Sequence, residues 1–396
     1  MYLTKSLMKK ILIVNNNMKI GGVQKSLVNL LRSISDKYDI TLLLFKKTGE
    51  LLKDIPSNVR VVEVDGAFRF LGTNHSEFKY NLFEYFKRSI LVIFCRIFGR
   101  KSTLKLMLKH QLKFDDKFIY AISFLHNGRK NSFYGGVQEF VLERVDSAFK
   151  IAFVHGDYVK CGANFTDNDA TISRFDKIAA CSEGCKRILN SKLPSIVDKT
   201  FTVNNFHDFS EIQRLADFET IKYDNTFVNV IIVARLSREK GIERAIRAVS
   251  NAKDVGARVK LHIIGDGSEK EHLLNIVKQL NIDENVVFYG EQANPYRYIK
   301  NADLLLISSY HEAAPMVIDE AISLSVPILT TRTVSATEMV ELRDCGWVCD
   351  NNDTSLNNTF IKIISDRDLL KQYKIKLSTK VFSNIDAVKQ FDDLLS

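Results

Sequence analysis

At 396 residues, 45% of them hydrophobic and 26% charged, the chain exceeds what one hydrophobic core supports and is too ordinary in composition for a disordered or fibrous protein. Its formal net charge of +9 is unevenly placed: residues 1–205 carry 33 Lys and Arg against 19 acids, a balance of +14, and residues 206–396 carry 23 against 28, a balance of −5. The basic half suits phosphates, whether of a nucleic acid, an anionic membrane or a phosphorylated lipid, or is a plain solvated surface.

The first residues do not read as a secretory leader, and Met8, ahead of KKILIVNN, reads as a natural start that leaves residues 1–7 without a structural role. KILIV at 10–14 is a strand buried on both faces, because its apolarity is continuous rather than alternating. It ends in NNNMKIGGVQKSLVNLL, which sets Gly21 and Gly22 at the start of a helix. Glycines there let a phosphate approach free backbone N–H groups and the positive end of the helix, and they equally suit a tight turn. Further strands follow at 40–45 and 60–64.

From Lys79 to Lys113 there are nine Lys and Arg and one acid, Glu84, interleaved with Tyr80, Phe83, Tyr85, Phe86, Phe94 and Phe98. Such a helix fits an anionic lipid interface, with Lys87, Arg88 and Arg96 facing the headgroups. The alternative is an ordinary amphipathic helix that buries Ile90, Phe94 and Ile97 in the first domain. The longest wholly apolar run, Ile90 to Cys95, is far short of the ~20 residues that span a bilayer, so a cytoplasmic protein is expected, with at most peripheral contact at the inner membrane face.

Strands at 119–124, 149–154 and 177–181 complete this first series, and His155 and Gly156 follow the second of them. A boundary is expected between Asn205 and Asn225, which divides the chain into domains 1–210 and 211–396. A second series then runs through 228–234, 259–265, 285–290, 303–308 and 327–331, separated by helix-length segments as in βαβ crossovers. The fold class is therefore α/β, two doubly wound domains facing each other across a cleft. The last helical stretch, Ile385 to Leu395, is free to pack back on the first domain. The cysteine pairs Cys181/Cys185 and Cys345/Cys349 lack the spacing and histidines of a zinc site, so buried thiols and no metal are expected.

Two segments of the second domain carry chemistry. ARLSREKGIERAI puts Arg235 at a strand end and Lys240 just before a helix, a fork and a point charge suited to a diphosphate. SYHEAAPMVIDEAISLSVPILTT puts Glu312 in a loop, Pro315 in the first helical turn and Glu320 about two turns below Glu312. The amides of Ala313 and Ala314, with Met316 next, offer anion-binding groups, and the two carboxylates offer acceptors for hydroxyls. Separately, two such glutamates are more often solvated charges.

These motifs together resemble the family-4 glycosyltransferases. SYHEAAPMVIDEAISLSVPILTT is similar to their E-x7-E signature, ARLSREKGIERAI to their Arg and Lys phosphate-binding segment, HIIGDG (262–267) to the next strand-turn, IGGVQKSL to the N-terminal glycine loop, and VNNFHDFSEI (203–212) to the interdomain entry. The resemblance implies a GT-B fold, a nucleotide diphosphate sugar as co-substrate, retention of configuration and no metal or other cofactor. It implies that Arg235 and Lys240 bind the donor diphosphate, Glu320 the ribose hydroxyls and Glu312 the transferred sugar, with His155 touching that sugar. Ala313 and Ala314 stand where many members have a glycine, which bears on the donor's identity.

The expected function is retaining transfer from a UDP-sugar, or a GDP-sugar, to a saccharide or polyprenyl-linked acceptor in bacterial surface polysaccharide biosynthesis such as capsule, with no nucleic acid partner. The rival readings are a nucleotide-sugar 2-epimerase of the same fold and a non-catalytic nucleotide-sugar-binding scaffold.

Overall fold

The computed structural model describes residues 8–73, 81–130, 132–219 and 221–396. Residues 1–7, for which no role was expected, and Lys79 and Tyr80 of the basic stretch lie outside the described residues. The chain divides into two compact units, one of Met1–Phe206 with Asn384–Ser396 and one of His207–Ser383.

The first unit is built from β1 (Lys10–Asn15), α1 (Gly22–Ile34), β2 (Asp39–Leu44), β3 (Arg60–Glu63), α2 (Leu82–Lys109), β4 (Phe114–Ser123), α3 (Val137–Arg144), β5 (Val145–Val154), α4 (Thr166–Ile172), β6 (Lys177–Ala180), α5 (Glu183–Lys192) and β7 (Thr200–Thr202). Its sheet is parallel, with the order β3-β2-β1-β4-β5-β6-β7. Continuous apolarity in β1 has a direct cause. Ile11 and Ile13 enter one core layer with Leu27, Leu30, Leu31 and Ile34 of α1, whereas Leu12 and Val14 enter another with Leu104 and Met107 of α2 and Phe140 of α3.

The second unit runs α6 (Phe209–Asp217), β8 (Val228–Val233), α7 (Ile242–Asp254), β9 (Val259–Ile264), α8 (Lys270–Gln279), β10 (Val286–Gly290), α9 (Tyr296–Asn301), β11 (Leu304–Ile307), α10 (Met316–Ser323), β12 (Ile328–Thr331), β13 (Gly346–Cys349), α11 (Asp353–Ile364) and α12 (Arg367–Ser378). Its parallel sheet has the order β10-β9-β8-β11-β12-β13. Val230 and Ile232 pack with Ala245, Ile246 and Val249 of α7, and Ile231 with Ile318, Ala321 and Ile322 of α10. The short edge strands β7 and β13 had no strand signature of their own. TFT alternates with polar residues, and GWVC is four residues long.

The last helix, α13 (Ile385–Leu395), departs from a second domain running to the C-terminus. Phe391 and Leu394 are fully buried in the layer formed by α1 and β1, so Asn384–Ser396 belong to the first unit. The Lys177 ammonium donates to the Leu394 carbonyl at 2.9 Å, the Tyr120 hydroxyl to the Leu395 carbonyl, and the Tyr38 hydroxyl to Asp392 at 3.2 Å.

Helix α2 does not follow the alternative in which Ile90 and Ile97 are buried in the first domain: they are 65% and 68% exposed. Its buried side instead carries Arg88, Cys95, Thr103, Leu104 and Met107. Arg88, expected to face the headgroups, is instead buried: its guanidinium donates to the Thr73 carbonyl at 2.9 Å and lies over the Phe133 ring. The helix breaks at Gly99, whose φ of 79° is a conformation that side chains disfavour.

Phe391→Ala is expected to cost about 3–5 kcal/mol of the first unit's stability, the usual range for removing a buried ring. Urea unfolding followed by circular dichroism measures it, and an unchanged midpoint would detach α13 from that core.

Candidate functional site

In the second sheet the strand order reverses between β8 and β11, so the loops that follow these two strands leave the sheet side by side. They are stitched together. The Tyr310 N–H donates to the Glu239 carbonyl at 2.9 Å, and the Ser308 hydroxyl to the Lys240 carbonyl at 3.2 Å. The Lys240 ammonium lies 2.7 Å from Glu312 Oε1, which also accepts from the Ser309 hydroxyl at 2.7 Å. Gly241 permits this approach: its φ is +59°, and a Cβ there would stand 2.3 Å from the Ser308 carbonyl oxygen.

A buried cation absent from the sequence reading holds the same loop. Arg244, 4% exposed on α7, donates to the Ser308 carbonyl at 3.2 Å and to Asn351 Oδ1 at 2.8 Å. Its guanidinium lies under the Tyr310 ring and 2.7 Å from Asp353. Asn351 in turn donates to the Tyr310 carbonyl at 2.9 Å, and Thr331 to the Ser309 carbonyl at 2.6 Å. The available signal was an arginine inside the apolar stripe Ile242, Ala245, Ile246, Val249, where an unpaired charge would be costly.

Arg235, two residues beyond β8, is exposed and forms no ion pair among the described residues. Pro315 is not inside the first turn as expected. It is the N-cap of α10, in extended backbone, so that Met316 opens the helix. Ala313 and Ala314 are half-buried in the preceding turn. Glu320 is 5% exposed in the second turn of α10 and accepts from the Tyr296 hydroxyl at 3.4 Å. Beside it on the same helix, burial raises the pKa of Asp319, but His207 at 3.4 Å and Arg343 at 2.7 Å outweigh burial and hold it at about 2. The second unit thus unites Lys240 and Glu312 directly, with Arg235 on the same loop as Lys240 and Glu320 on the helix that follows Glu312.

Gly21, Gly22 and His155 belong to the first unit. Gly21 is the N-cap of α1 in extended backbone, and the Asn15, Asn16 and Asn17 side chains ahead of it are buried, two of them donating to the Leu71 and Gly72 carbonyls at 3.1 and 2.7 Å. His155, just beyond β5, stacks against Phe153 and packs at a tilt against Phe124. Its backbone N–H donates to His126 Nδ1 at 3.3 Å, an acceptor role that puts the His126 proton on Nε2, facing Cys161 Sγ at 3.8 Å. Burial and the neighbouring His126 hold His155 down to about 3, against the Phe124 backbone and the Asn205 side chain, and burial holds His126 at about 4. Both rings are neutral at ordinary pH. Among the described residues, no group of three or more His, Cys, Asp or Glu is placed to share a metal ion.

Residues 214–377 match the family described as glycosyl transferases group 1. An uncharacterized glycosyltransferase of Methanocaldococcus jannaschii is 31% identical over 160 residues, 39% of this chain and 39% of that protein. The Campylobacter jejuni N-acetylgalactosamine-N,N'-diacetylbacillosaminyl-diphospho-undecaprenol 4-alpha-N-acetylgalactosaminyltransferase is 30% identical over 168 residues, 42% of this chain and 45% of that one. The matches thus span about two-fifths of the length of these relatives. Anabaena HepE, solved in complex with UDP and glucose, superposes with a TM-score of 0.66 at 18% identity, covering 98% of this chain and 99% of that one. The fold is therefore the GT-B fold, and the family match lies within its second unit.

The histidine shifts set a pH dependence. His126 and His155 stay neutral in the folded protein down to about pH 4 and 3, whereas in the unfolded chain they bind protons near 6.5. Between those values the unfolded state binds more protons, so their contribution is complete above about pH 6.5 and declines as pH falls. Urea midpoints are expected to drop from pH 7.5 to pH 5, and His126→Gln to flatten the slope. An identical slope in that variant would refute the assignment.

Proposed function

We propose that this protein is a retaining glycosyltransferase that moves a sugar from a nucleotide diphosphate sugar, UDP-linked rather than GDP-linked, to a saccharide or polyprenyl-linked acceptor in bacterial surface polysaccharide biosynthesis. The observation that carries the proposal is the convergence of Lys240 and Glu312 where the second sheet reverses, with Arg235 on one loop and Glu320 on the adjoining helix. The family match over 214–377 and the bound UDP of HepE support it. The relatives' names favour transfer over epimerisation or a silent scaffold, and the undecaprenol in one name supports a lipid-linked acceptor. The retaining outcome and the assignment to family 4 rest on the E-x7-E resemblance.

In this reading Arg235 and Lys240 meet the donor's diphosphate, and their charge counts for more as the sugar–phosphate bond breaks and negative charge grows on the departing oxygen. Glu320 accepts from the ribose hydroxyls and Glu312 from the sugar hydroxyls, while keeping Lys240 in place. No metal is required, because two cations and helix N-termini supply the positive field. The acceptor oxygen bonds the anomeric carbon on the face that the phosphate leaves, and its proton passes to the leaving phosphate oxygen. A covalent glycosyl-enzyme seen by mass spectrometry would exclude this single displacement. Nucleotide sugars place the reaction in the cytoplasm, at the inner membrane face when the acceptor is lipid-borne.

Lys240→Ala and Arg235→Ala are each expected to lower turnover about a hundredfold, on the order of the loss when one transition-state charge partner is removed. Normal turnover in either would move the diphosphate site elsewhere. Glu320→Gln should weaken UDP binding by about 1–3 kcal/mol, since a charged acceptor of buried hydrogen bonds becomes a poorer one. Glu312→Gln should depress turnover while UDP affinity, measured by calorimetry, stays near the parent value.

A further inference from the structure

We infer that the outward face of α2 is a docking surface for an anionic lipid bilayer, in which the helix lies in the plane of the interface. The inference is independent of which transfer the second unit carries out. A helix on the surface of a water-soluble unit turns its polar side outward, and α2 does the reverse. Phe83, Phe86, Ile90, Ile93 and Ile97 follow i, i+3, i+7, i+10, i+14 spacing on one face and are 68, 62, 65, 54 and 68% exposed. The opposite face is where Arg88 and Cys95 are buried. Leaving five large apolar side chains in contiguous contact with water marks a surface that something covers.

Charge identifies the occupant. The only acid in α2, Glu84, is already matched by Arg69 at 2.6 Å and Lys87 at 3.5 Å. Lys87 flanks the apolar stripe over the Phe83 ring, and Arg96 flanks its other edge. Beyond the break at Gly99 follow Lys101, Lys105 and Lys109, all exposed. Arg96, Lys105 and Lys109 form no ion pair among the described residues. An apolar stripe bordered by cations fits acyl chains below and anionic headgroups beside. A second copy of this chain would bring like cations against each other on the same face. The stretch from Leu82 to Phe98 is about 25 Å long at the helical rise, and no helix among the described residues is long and apolar enough to cross a membrane. It therefore lies on a bilayer rather than through it.

The test is co-sedimentation of the full chain with phosphatidylcholine vesicles and with vesicles that also contain phosphatidylglycerol, at low and high salt. The parent protein should bind the anionic vesicles, release them as salt screens the headgroups, and bind neutral vesicles poorly. Combined Phe86→Ser, Ile90→Ser and Ile97→Ser should abolish binding with an unchanged melting temperature, because these side chains contribute little to the fold. Combined Arg96→Glu, Lys105→Glu and Lys109→Glu should weaken binding on the order of a hundredfold or more, from the contribution of each surface cation. The inference falls if the parent ignores anionic vesicles at low salt, binds neutral ones equally, or if the serine variant binds like the parent. It also falls if the parent is a dimer that the serine variant dissociates and that has no affinity for vesicles.

Discussion

The 2.7 Å contact between Lys240 and Glu312 depends on two loops leaving the sheet at one point, and much of the second unit serves to keep them there. Gly241 allows the chain to turn against the Ser308 carbonyl, where any side chain would collide. The glycines of HIIGDG act similarly: a Cβ on Gly265 or Gly267 would stand 1.9 or 2.3 Å from the carbonyl oxygens of Ala234 and Leu236. Arg244 fastens the second loop from below: Asp353 lies 2.7 Å from its Nε, and its Nη1 donates to both the Ser308 carbonyl and Asn351 Oδ1. A buried guanidinium is tolerated only when so matched, and breaking one partner leaves the rest uncompensated.

The first unit handles polarity differently. At its glycine loop it buries three neutral asparagines, and beside β5 it keeps two half-buried imidazoles uncharged, rather than ion pairs. A neutral ring keeps its hydrogen-bonding capacity without the desolvation penalty of a charge. The two candidate sites therefore differ in electrostatic character: an ion pair, Lys240 with Glu312, in the second unit, and uncharged donors and acceptors at the glycine loop and His155 of the first.

The balance of +14 in the first half is not spread evenly over its surface either. Arg88 and Arg100 turn inward, to the Thr73 carbonyl and to Glu139 and Asn127, while Arg96, Lys105 and Lys109 stay outside. The inward pair fixes α2 to its unit through polar contacts, which leaves its apolar residues for the other side.

The sequence alone determined the two parallel sheets, because strands buried on both faces must be continuously apolar, as Ile11 to Val14 and Val230 to Ile232 are. It also placed Arg235, Lys240, Glu312 and Glu320 at strand ends and on a helix, since glycine, proline and the shift of hydrophobic period mark those positions locally. The spacing of Glu312 and Glu320 was legible for the same reason. Only the tertiary structure decided which side of α2 faces the core: its hydrophobic residues surround the helix, so periodicity offered two faces, and Arg88 rather than Ile90 was buried. Only it returned α13 to the first unit, paired the three- and four-residue strands β7 and β13, and brought Arg244 under the Glu312 loop. Each of these depends on contacts between residues far apart in the chain, and a local pattern of apolar and polar residues holds no information about which distant surface will cover it.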